Sequence, residues 1–419
     1  MAKKMINAAR SEAFGLFKDH ESDWFFRRIL EPMVVGGAEI GECLSAARKI
    51  KENDGQSWVN AWSVLATSLH RTADKALAAG HKISAREAYL RASNYYGAAE
   101  YCAGPEHEDF NKYWKNGTFC FEKAGELFDI PIQKVMVPYR DKQLPGYYWR
   151  GSLDQNCPTL IAAGGNDSTM AEVFFSVAFA AINRGYNFFA FEHPGHRGAV
   201  HLYPDCVKIP DYEIPYKNAL DVLETLPGVD NRIALTGFSF GGYVVSRVAI
   251  YDQRIKALIP NSPLVNMMQM GGQFWSGLMK IINNMPVTKI KNKTDKKLKN
   301  KPLVKALKEY TTWTNGHDHI AKMDISYGEA WKIVTDFWNQ FNIEDQIQAI
   351  DCPTLALVGA GEGPESLRQA ELFLNGISSE KKELYIFTLE KDGSDDHCQL
   401  DNRSRGNQIM FDWLDNIFV

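Results

Sequence analysis

The chain has 419 residues, of which 45% are hydrophobic and 23% are charged, and its formal net charge at pH 7 is −4. The length predicts about two or three domains, and the composition is that of a globular protein. Because the net charge is weakly negative, it provides no overall attraction to nucleic acid or to an anionic membrane, and we expect neither as a partner.

The N-terminal stretch and the apolar runs predict a cytoplasmic protein. Residues 1–24 include basic residues but no apolar core of signal-peptide length. The longest apolar run, residues 173–182, is about half of what a bilayer requires. The seven cysteines are scattered and include no C-x-x-C pair, so we expect reduced thiols rather than disulfides or a structural zinc site.

Residues 20–129 have the apolar spacing of helices throughout, which predicts a helical N-terminal domain over residues 1–130. Ser84, followed by Glu87, fits a capping box at the start of one of these helices. The aromatic residues here would either line a substrate cleft or pack between helices, and packing is the more common role: Trp58, Trp62, Tyr95, Tyr96, Tyr113 and Trp114.

From Lys134 onward, short apolar runs alternate with helical segments. The first two runs predict a β-hairpin, and the later ones predict parallel strands joined by right-handed crossovers. The alternation indicates a mostly parallel sheet with helices on both faces, formed by residues 131–264 and 346–419.

A long insertion, residues 265–345, separates the two parts of this core and is interpreted as a helical lid. Its segment 289–308 is rich in lysine. Contact with nucleic acid or with an anionic substrate is one interpretation of that charge. The lysines have almost no aromatic residues between them and therefore no stacking platform, so a solvated lid surface is favoured.

The segment 237–241, Gly-Phe-Ser-Phe-Gly, fits G-x-S-x-G and lies where a predicted strand passes into a predicted helix. In that context Ser239 is held in a strained turn, and the flanking glycines avoid collisions with the strand and the helix. The hydroxyl is then exposed at a helix N-terminus, and the amide of Phe240 is placed to donate to an oxyanion. We predict Ser239 as a nucleophile; the alternative is a glycine-rich crossover with a buried serine.

A serine nucleophile needs a base, and three histidines follow Ser239 in the chain. His317 and His319 lie in the insertion, where no third metal ligand is evident, so we assign them to a lid loop and predict no metal. His397 lies between the last predicted strand and the last helix, where hydrolases with this motif carry their base. We predict His397 as the base; an exposed loop histidine is the alternative.

The acid is expected between these two residues, near the end of a strand. Residues 356–366 combine an apolar run, three alternating glycines and a helix, and they would form either a dinucleotide-phosphate loop or a turn that presents Glu362. Only one strand and one helix follow, and the glycine spacing is not G-x-G-x-x-G, so we favour the turn and predict no cofactor. Glu362 would accept a hydrogen bond from Nδ1 of His397. Asp395 and Asp396 are the alternative acids.

The second oxyanion donor is expected in the loop GGNDST, residues 164–169, which follows a predicted strand. Its two glycines allow the backbone to approach the nucleophile closely. We predict that the amide of Gly165 or that of Asn166 is the donor.

Another glycine-containing loop, FEHPGHRG, occupies residues 191–198 on the same edge of the predicted sheet. Its His193 and Arg197 are candidates for contact with a substrate. The alternative is that the loop is a structural turn.

Five segments, GGNDST, FEHPGHRG, TGFSFGGYVVSR, GAGEGPE and DGSDDHCQ, together resemble one family of α/β-hydrolases. The family contains dihydroxypseudo-oxynicotine hydrolase and polyketide chain-shortening hydrolases of melanin and anthraquinone pathways; the fermentation/respiration switch protein is more distant. The resemblance implies an α/β-hydrolase fold whose N-terminal helices form a lid and part of a homodimer interface. The family's triad would fall on Ser239, Glu362 and His397.

The resemblance also implies a small-molecule substrate, an aromatic or polyketide ketone that is cleaved at a carbon–carbon bond through an acyl-enzyme. A carboxylesterase or thioesterase would use the same triad with an easier leaving group. A non-catalytic partner-binding protein on the same fold is the alternative from a different class of function.

Overall fold

The structure is a computed structural model that describes residues 15–270 and 283–418. Part of the predicted insertion, residues 271–282, lies outside the described residues, as do residues 1–14 and residue 419. None of the described helices is both long enough and apolar enough to cross a membrane.

The first part of the chain folds into helices, as the apolar spacing predicts. These are α1 (His20–Leu30), α2 (Ile40–Ala47), α3 (Gly55–Ala78), α4 (Lys82–Ala103) and α5 (Phe110–Glu126), with a 3-10 turn at Glu31–Val35. Helix α4 starts at Lys82 without a side-chain cap, so the capping box expected at Ser84 is not formed.

These helices share an apolar core of their own. Trp58 and Trp62 are fully buried in it together with Tyr95 and Tyr96, and Tyr113 is nearly so. Five of the six predicted aromatic residues therefore pack between helices, which is the more common role of such side chains. The sixth, Trp114, is only partly buried and stacks on the ring of His201. The predicted domain boundaries near residues 130, 265 and 346 stay predictions.

A single sheet of eight strands follows, with the order β1-β2-β4-β3-β5-β6-β7-β8. The β1–β2 and β2–β4 pairs are antiparallel and all other pairs are parallel. The strands are β1 (Gln133–Tyr139), β2 (Lys142–Trp149), β3 (Cys157–Ala163), β4 (Asn187–Phe191), β5 (Val229–Phe238), β6 (Ile255–Asn261), β7 (Thr354–Gly359) and β8 (Lys382–Phe387).

Further helices cover the sheet and fill the insertion. They are α6 (Met170–Val173), α7 (Phe179–Ile182), α8 (Arg197–Leu202), α9 (Glu213–Leu223), α10 (Phe240–Tyr251), α11 (Met267–Met270), α12 (Val287–Leu298), α13 (Pro302–Thr314), α14 (Tyr327–Trp338), α15 (Pro364–Gly376), α16 (Leu389–Asp392) and α17 (Arg403–Ile417). A π turn at Phe174–Ala178 joins α6 to α7, and 3-10 turns lie at Ile320–Lys322, Ile347–Ala349, Ala360–Glu362 and His397–Gln399.

The side chains of each strand alternate between the two faces of the sheet, and apolar side chains on both faces are covered by helices. In β5, Ile233 and Leu235 belong to one apolar cluster, with α9, α10 and α15, whereas Ala234 and Phe238 belong to another, with α17 and the π turn. Successive side chains of a strand point to opposite faces. The predicted α/β class, a mostly parallel sheet between two helical layers, is confirmed.

The insertion lies between β6 and β7, and its helix α13 packs against the N-terminal helices. Leu303 and Tyr310 of α13 are buried in the same core as α3 and α4. In α12, which carries much of the lysine-rich segment, Val287 is the only buried residue of the helix. Its lysines therefore face solvent to a large extent, as expected for a lid surface.

Candidate active site

Ser239 lies in the turn between β5 and α10 in a strained conformation, with φ 58° and ψ −121°. Its N–H donates to the carbonyl oxygen of Asn261 at 2.6 Å. A side chain at Gly237 would collide with the carbonyl group of Gly241, and one at Gly241 would come within 2.5 Å of the carbonyl oxygen of Ala163. The glycines of the motif are therefore required by the close approach of strand and helix.

Ser239 lines a cavity of about 370 Å³ at the carboxyl edge of the sheet. This is a volume suited to a small molecule. Three parts of the chain enclose it: the loops of the sheet, the N-terminal helix α1 with the turn after it, and the insertion. Residues from outside the sheet that line it include Trp24, Arg28, Glu31, Met267, Met270, Leu307, Thr311 and Trp338.

His397 and Glu362 line the same cavity and form a hydrogen-bonded pair. Nδ1 of His397 lies 2.8 Å from Oε2 of Glu362, whose side chain is fully buried. The other oxygen, Oε1, accepts the N–H of Gly359 at 3.0 Å, and the hydroxyl of Ser262 donates to Oε2 in a very short hydrogen bond. The carboxylate is thus held by three donors, which suits an acid that orients an imidazole.

The two alternative acids have other contacts. Asp396 accepts the backbone N–H of His397 at 2.9 Å and pairs with Arg27 of α1 at 3.1 Å, with both side chains buried. The Asp395 carbonyl oxygen accepts the N–H of Gly361 at 2.9 Å. Because the turn at residues 359–363 packs against this backbone, its glycines make room for the loop that carries His397.

The electrostatic surroundings favour the charged form of His397. Burial acts to lower the pKa of its imidazole, but the neighbouring Cys398 and the Glu362 carboxylate act to raise it, and the net pKa lies well above the ordinary value of 6.5. A nearby carboxylate stabilises the imidazolium, which is the species formed when the ring accepts a proton.

Ser239 and His397 make no direct hydrogen bond with each other within the described residues. They face one cavity, and such contacts often tighten only when a substrate is bound. The sequence-predicted nucleophile, base and acid are therefore brought to one site, with the base–acid contact already formed.

The predicted oxyanion donors lie beside Ser239. Phe240 is the first residue of α10, a position whose N–H has no acceptor within the helix. A side-chain carbon added to Gly165 would lie 3.1 Å from Cβ of Ser239, so this loop is in contact with Ser239. The N–H of Gly165 donates to the hydroxyl of Ser168 at 2.9 Å, while the side-chain amide of Asn166 donates to Thr311 at 3.2 Å.

His193 and Arg197 do not line this cavity, and the expectation that they contact a substrate there is not supported. Both are 2% exposed. Nδ1 of His193 donates to the carbonyl oxygen of Pro194 at 3.1 Å, and burial holds the pKa of His193 well below 6.5. Arg197 is paired with Glu100 and donates to the carbonyl oxygen of Asp167 at 3.2 Å. This loop is the structural turn of the alternative interpretation, because it packs beneath the N-terminal helices.

His317 and His319 follow α13 in a loop of the insertion. The ring of His317 lies 4.6 Å from that of Phe337 in an edge-to-face contact. Over residues 15–270 and 283–418, no group of three or more His, Cys, Asp or Glu side chains is placed to hold a metal.

A charged wall of the cavity was missed by sequence reasoning. Arg28 of α1 lies 2.7 Å from Asp167 and 2.6 Å from Glu172, and Arg403 lies 2.9 Å from Glu31. These ion pairs join residues more than a hundred positions apart in the chain, so no local sequence motif predicts them.

Comparison with models of known protein families identifies the family of this chain. The model of the FrsA-like esterase family matches residues 50–285, which is more than half of the chain. The chain belongs to the FrsA-like esterase family. A second model, of the X-Pro dipeptidyl-peptidase S15 family, matches residues 216–387 of this FrsA-like chain, including the Ser239 turn. The resemblance drawn from the five sequence segments is confirmed.

Curated relatives of this FrsA-like chain are hydrolases from fungi. Hydrolase acrC of Aspergillus aculeatus is 33% identical over 270 residues, which are 58% of this chain and 62% of the relative. The 20-hydroxy-prefusarin hydrolase FUS2 of Gibberella moniliformis is 34% identical over 260 residues, 58% of this chain and 61% of the relative. The chain thus spans about three fifths of the length of these relatives.

Solved structures confirm the α/β-hydrolase fold. The crystal structure of 2,6-dihydroxy-pseudo-oxynicotine hydrolase matches 93% of this FrsA-like chain and 96% of its own, with a TM-score of 0.70 and 21% identity. AbyA5 matches 87% of this chain and 85% of its own, with a TM-score of 0.54 and 12% identity. At these identities the likeness concerns the fold.

Proposed function

We propose that this protein is a serine hydrolase in which Ser239 is the nucleophile, His397 the base and Glu362 the acid. The observation that carries the proposal is the buried Glu362–His397 pair, which faces the same cavity as the strained Ser239 turn. The order serine, acid, histidine along the chain is that of α/β-hydrolases. Hydrolase names among the relatives support the same activity.

The reaction would begin when Nε2 of His397 accepts the hydroxyl proton of Ser239 and the serine oxygen attacks a carbonyl carbon. Nδ1–H of the imidazolium would donate to Glu362, which fixes the tautomer and stabilises the charge. The amides of Phe240 and Asn166 would bind the oxyanion, and one such donor contributes about 2.7–4 kcal/mol. We favour Asn166 over Gly165 because the Gly165 amide already donates to Ser168.

We propose an aromatic or polyketide-like ketone as the substrate, cleaved at the carbon–carbon bond next to the carbonyl group. The bond to the acyl carbon breaks, its electron pair leaves on a stabilised carbanion, and His397 protonates that carbon. Water then hydrolyses the acyl-enzyme. Support comes from the resemblance and from a relative named for 20-hydroxy-prefusarin hydrolysis.

Ester hydrolysis is the second candidate, because the matching family is one of esterases. A fluorophosphonate probe is expected to form one adduct, on Ser239, detected by mass spectrometry of the digested protein. A folded protein that forms no adduct would overturn the hydrolase proposal. Turnover of short aryl esters and of aryl β-diketones is then measured with the same preparation. If only the esters are turned over, the proposal of carbon–carbon bond cleavage is excluded.

We also propose that the protein is a homodimer with the N-terminal helices in its interface, as the resemblance implies. Four apolar residues of this region are more than half exposed and are candidates for burial in that interface: Val34, Ile40, Val64 and Ile83. Light scattering is expected to give twice the mass of one chain, and Val64→Asp is expected to lower it. A wild-type mass of one chain contradicts the proposal.

A further inference from the structure

The loop of residues 164–168, which follows β3 and contacts Ser239, is held by three cationic side chains, two of which, Arg197 and Lys208, are buried. Nζ of Lys208 donates to the carbonyl oxygen of Asn166 at 3.3 Å. Arg28 and Arg197 donate to the carbonyl oxygen of Asp167 at 3.1 and 3.2 Å. Because backbone carbonyl groups of this loop are bound by cations from three different elements, the positions of its amides are strongly constrained.

Lys208 differs from the two arginines in its partners. It is 3% exposed, and among the described residues no carboxylate lies within 4 Å of its ammonium group. Besides Asn166, the ammonium group donates to the hydroxyl of Thr314 in α13 at 2.5 Å and lies 5.7 Å from the ring centroid of Phe240. Burial lowers the pKa of Lys208 to about 7, opposed by Asp167.

The FEHPGHRG loop makes room for this lysine. Gly195 has φ 77°, and a side chain there would come within 2.7 Å of the backbone of Lys208 and would also collide with its side chain. The backbone N–H of Lys208 donates to the carbonyl oxygen of Thr314 at 2.9 Å. Lys208 is therefore fixed on one side by this loop and on the other by α13.

Burial of an ammonium group without a carboxylate partner is costly, and an apolar side chain of the same length would avoid that cost. The position of Lys208 suggests what the buried ammonium group contributes in return for this cost. Besides Thr314, its ammonium group contacts Asn166 and the ring of Phe240, the two residues whose amides would bind the oxyanion. In its protonated form, Lys208 places a positive charge beside these two residues, where it favours the negative charge that develops during the reaction.

We propose that Lys208 is a positioning residue of the oxyanion site, which holds the Asn166 segment in place and couples it to the lid helix α13. The inference rests on the proposed function of Ser239. A second contact acts in the same direction, because Thr311 of α13 accepts the side-chain amide of Asn166 at 3.2 Å. The lid would thus take part in building the oxyanion site as well as in enclosing the substrate.

The test uses Lys208→Met, which keeps the length of the side chain but removes its charge and its donors. We expect kcat to fall by about 10–100-fold, less than the 10²–10³-fold cost of deleting an oxyanion donor itself. We expect KM to change by less than about threefold, since the interaction matters mainly in the transition state. The rate at which the fluorophosphonate labels Ser239 should fall by a similar factor, because the phosphonyl oxygen would occupy the same site.

A matched pair on α13 keeps the test decisive if Lys208→Met does not fold. Thr314→Val removes the hydroxyl that accepts from Lys208, whereas Thr312→Val removes a hydroxyl that donates to carbonyl groups of its own helix. The first should lower kcat and the labelling rate by about 3–10-fold, and the second should leave both unchanged. Equal kcat values and labelling rates for the two variants overturn the role of Lys208.

The results also separate this inference from the proposed function. If wild-type protein forms no adduct at Ser239, the hydrolase proposal fails. If wild-type protein is labelled and folded Lys208→Met is labelled and turns over within about twofold of the wild-type rates, then only the role of Lys208 fails.

Discussion

Ser239→Ala is expected to lower kcat by on the order of 10⁶-fold, the loss seen when the serine of a catalytic triad is removed. The reason is that no other hydroxyl is held in the strained turn between β5 and α10, so an acyl-enzyme cannot form. Binding of the substrate should persist, because the cavity is built mostly by other residues.

The measurement is kcat with the substrate that the wild-type protein turns over, together with labelling by the fluorophosphonate probe. Ser246→Ala is the matched control, since Ser246 lies in α10 as well and its hydroxyl donates to the carbonyl oxygen of Gly242 at 2.7 Å. We expect this control to be labelled and active. A Ser239→Ala protein that keeps more than about a tenth of the wild-type kcat contradicts the assignment.

Glu362→Gln is expected to lower kcat by about 10⁴-fold while leaving the fold and the Ser239 turn in place. An amide is close in size to a carboxylate, but it does not stabilise an imidazolium and it can impose the wrong tautomer on His397. Labelling of Ser239 should become slow for the same reason. Glu365→Gln, which removes a partner of Arg368 outside the cavity, is the control and should stay active.

The pH profile gives this variant a second readout. His397 must be neutral to accept the serine proton, so wild-type kcat/KM should fall as the pH drops through its raised pKa, with the acid limb above pH 6.5. Loss of the carboxylate removes an attraction for the imidazolium, so the pKa decreases and the limb moves to lower pH. Besides Glu362, the neighbouring Cys398 acts to raise this pKa, and Asp396, paired with Arg27, accepts the backbone N–H of His397. The substitution alters none of these groups.

Near-normal turnover by the Glu362→Gln variant would show that Asp395 or Asp396, rather than Glu362, is the acid. The surroundings of these residues argue against that outcome. Asp396 is already paired with Arg27. Burial, followed by the charges of Asp401 and Asp396, raises the pKa of Asp395 and so disfavours its carboxylate form. Asp395→Asn should therefore have a much smaller effect than Glu362→Gln.

The Ser239 turn shows how much of a local structure is specified by residues close together in the chain. Gly237, Ser239 and Gly241 lie within five positions, and the collisions that glycine avoids involve backbone atoms of the same crossover or of the adjacent strand. The alternation of apolar runs and helices likewise follows from local periodicity. For these reasons the fold class and the place of Ser239 were predictable, and the position of His397 followed from chain order.

Other features depended on contacts between distant segments. Sequence alone left Glu362, Asp395 and Asp396 as candidate acids; the structure pairs Glu362 with the ring and Asp396 with Arg27, which is 369 positions away in the chain. The same limitation applies to Arg197, for which sequence left substrate contact and a structural turn open; the structure buries it against Glu100 of the N-terminal helices.

The sequence by itself determined the order of helices and strands along the chain, the strained serine turn and the placement of His397 after the last strand. Only the tertiary structure decided which carboxylate contacts His397, which residues form the charged wall of the cavity, and where Lys208 lies. The physical reason is the range of the forces involved. Backbone sterics and apolar periodicity act between neighbours in the chain, whereas ion pairs and buried hydrogen bonds form between residues that only packing brings together.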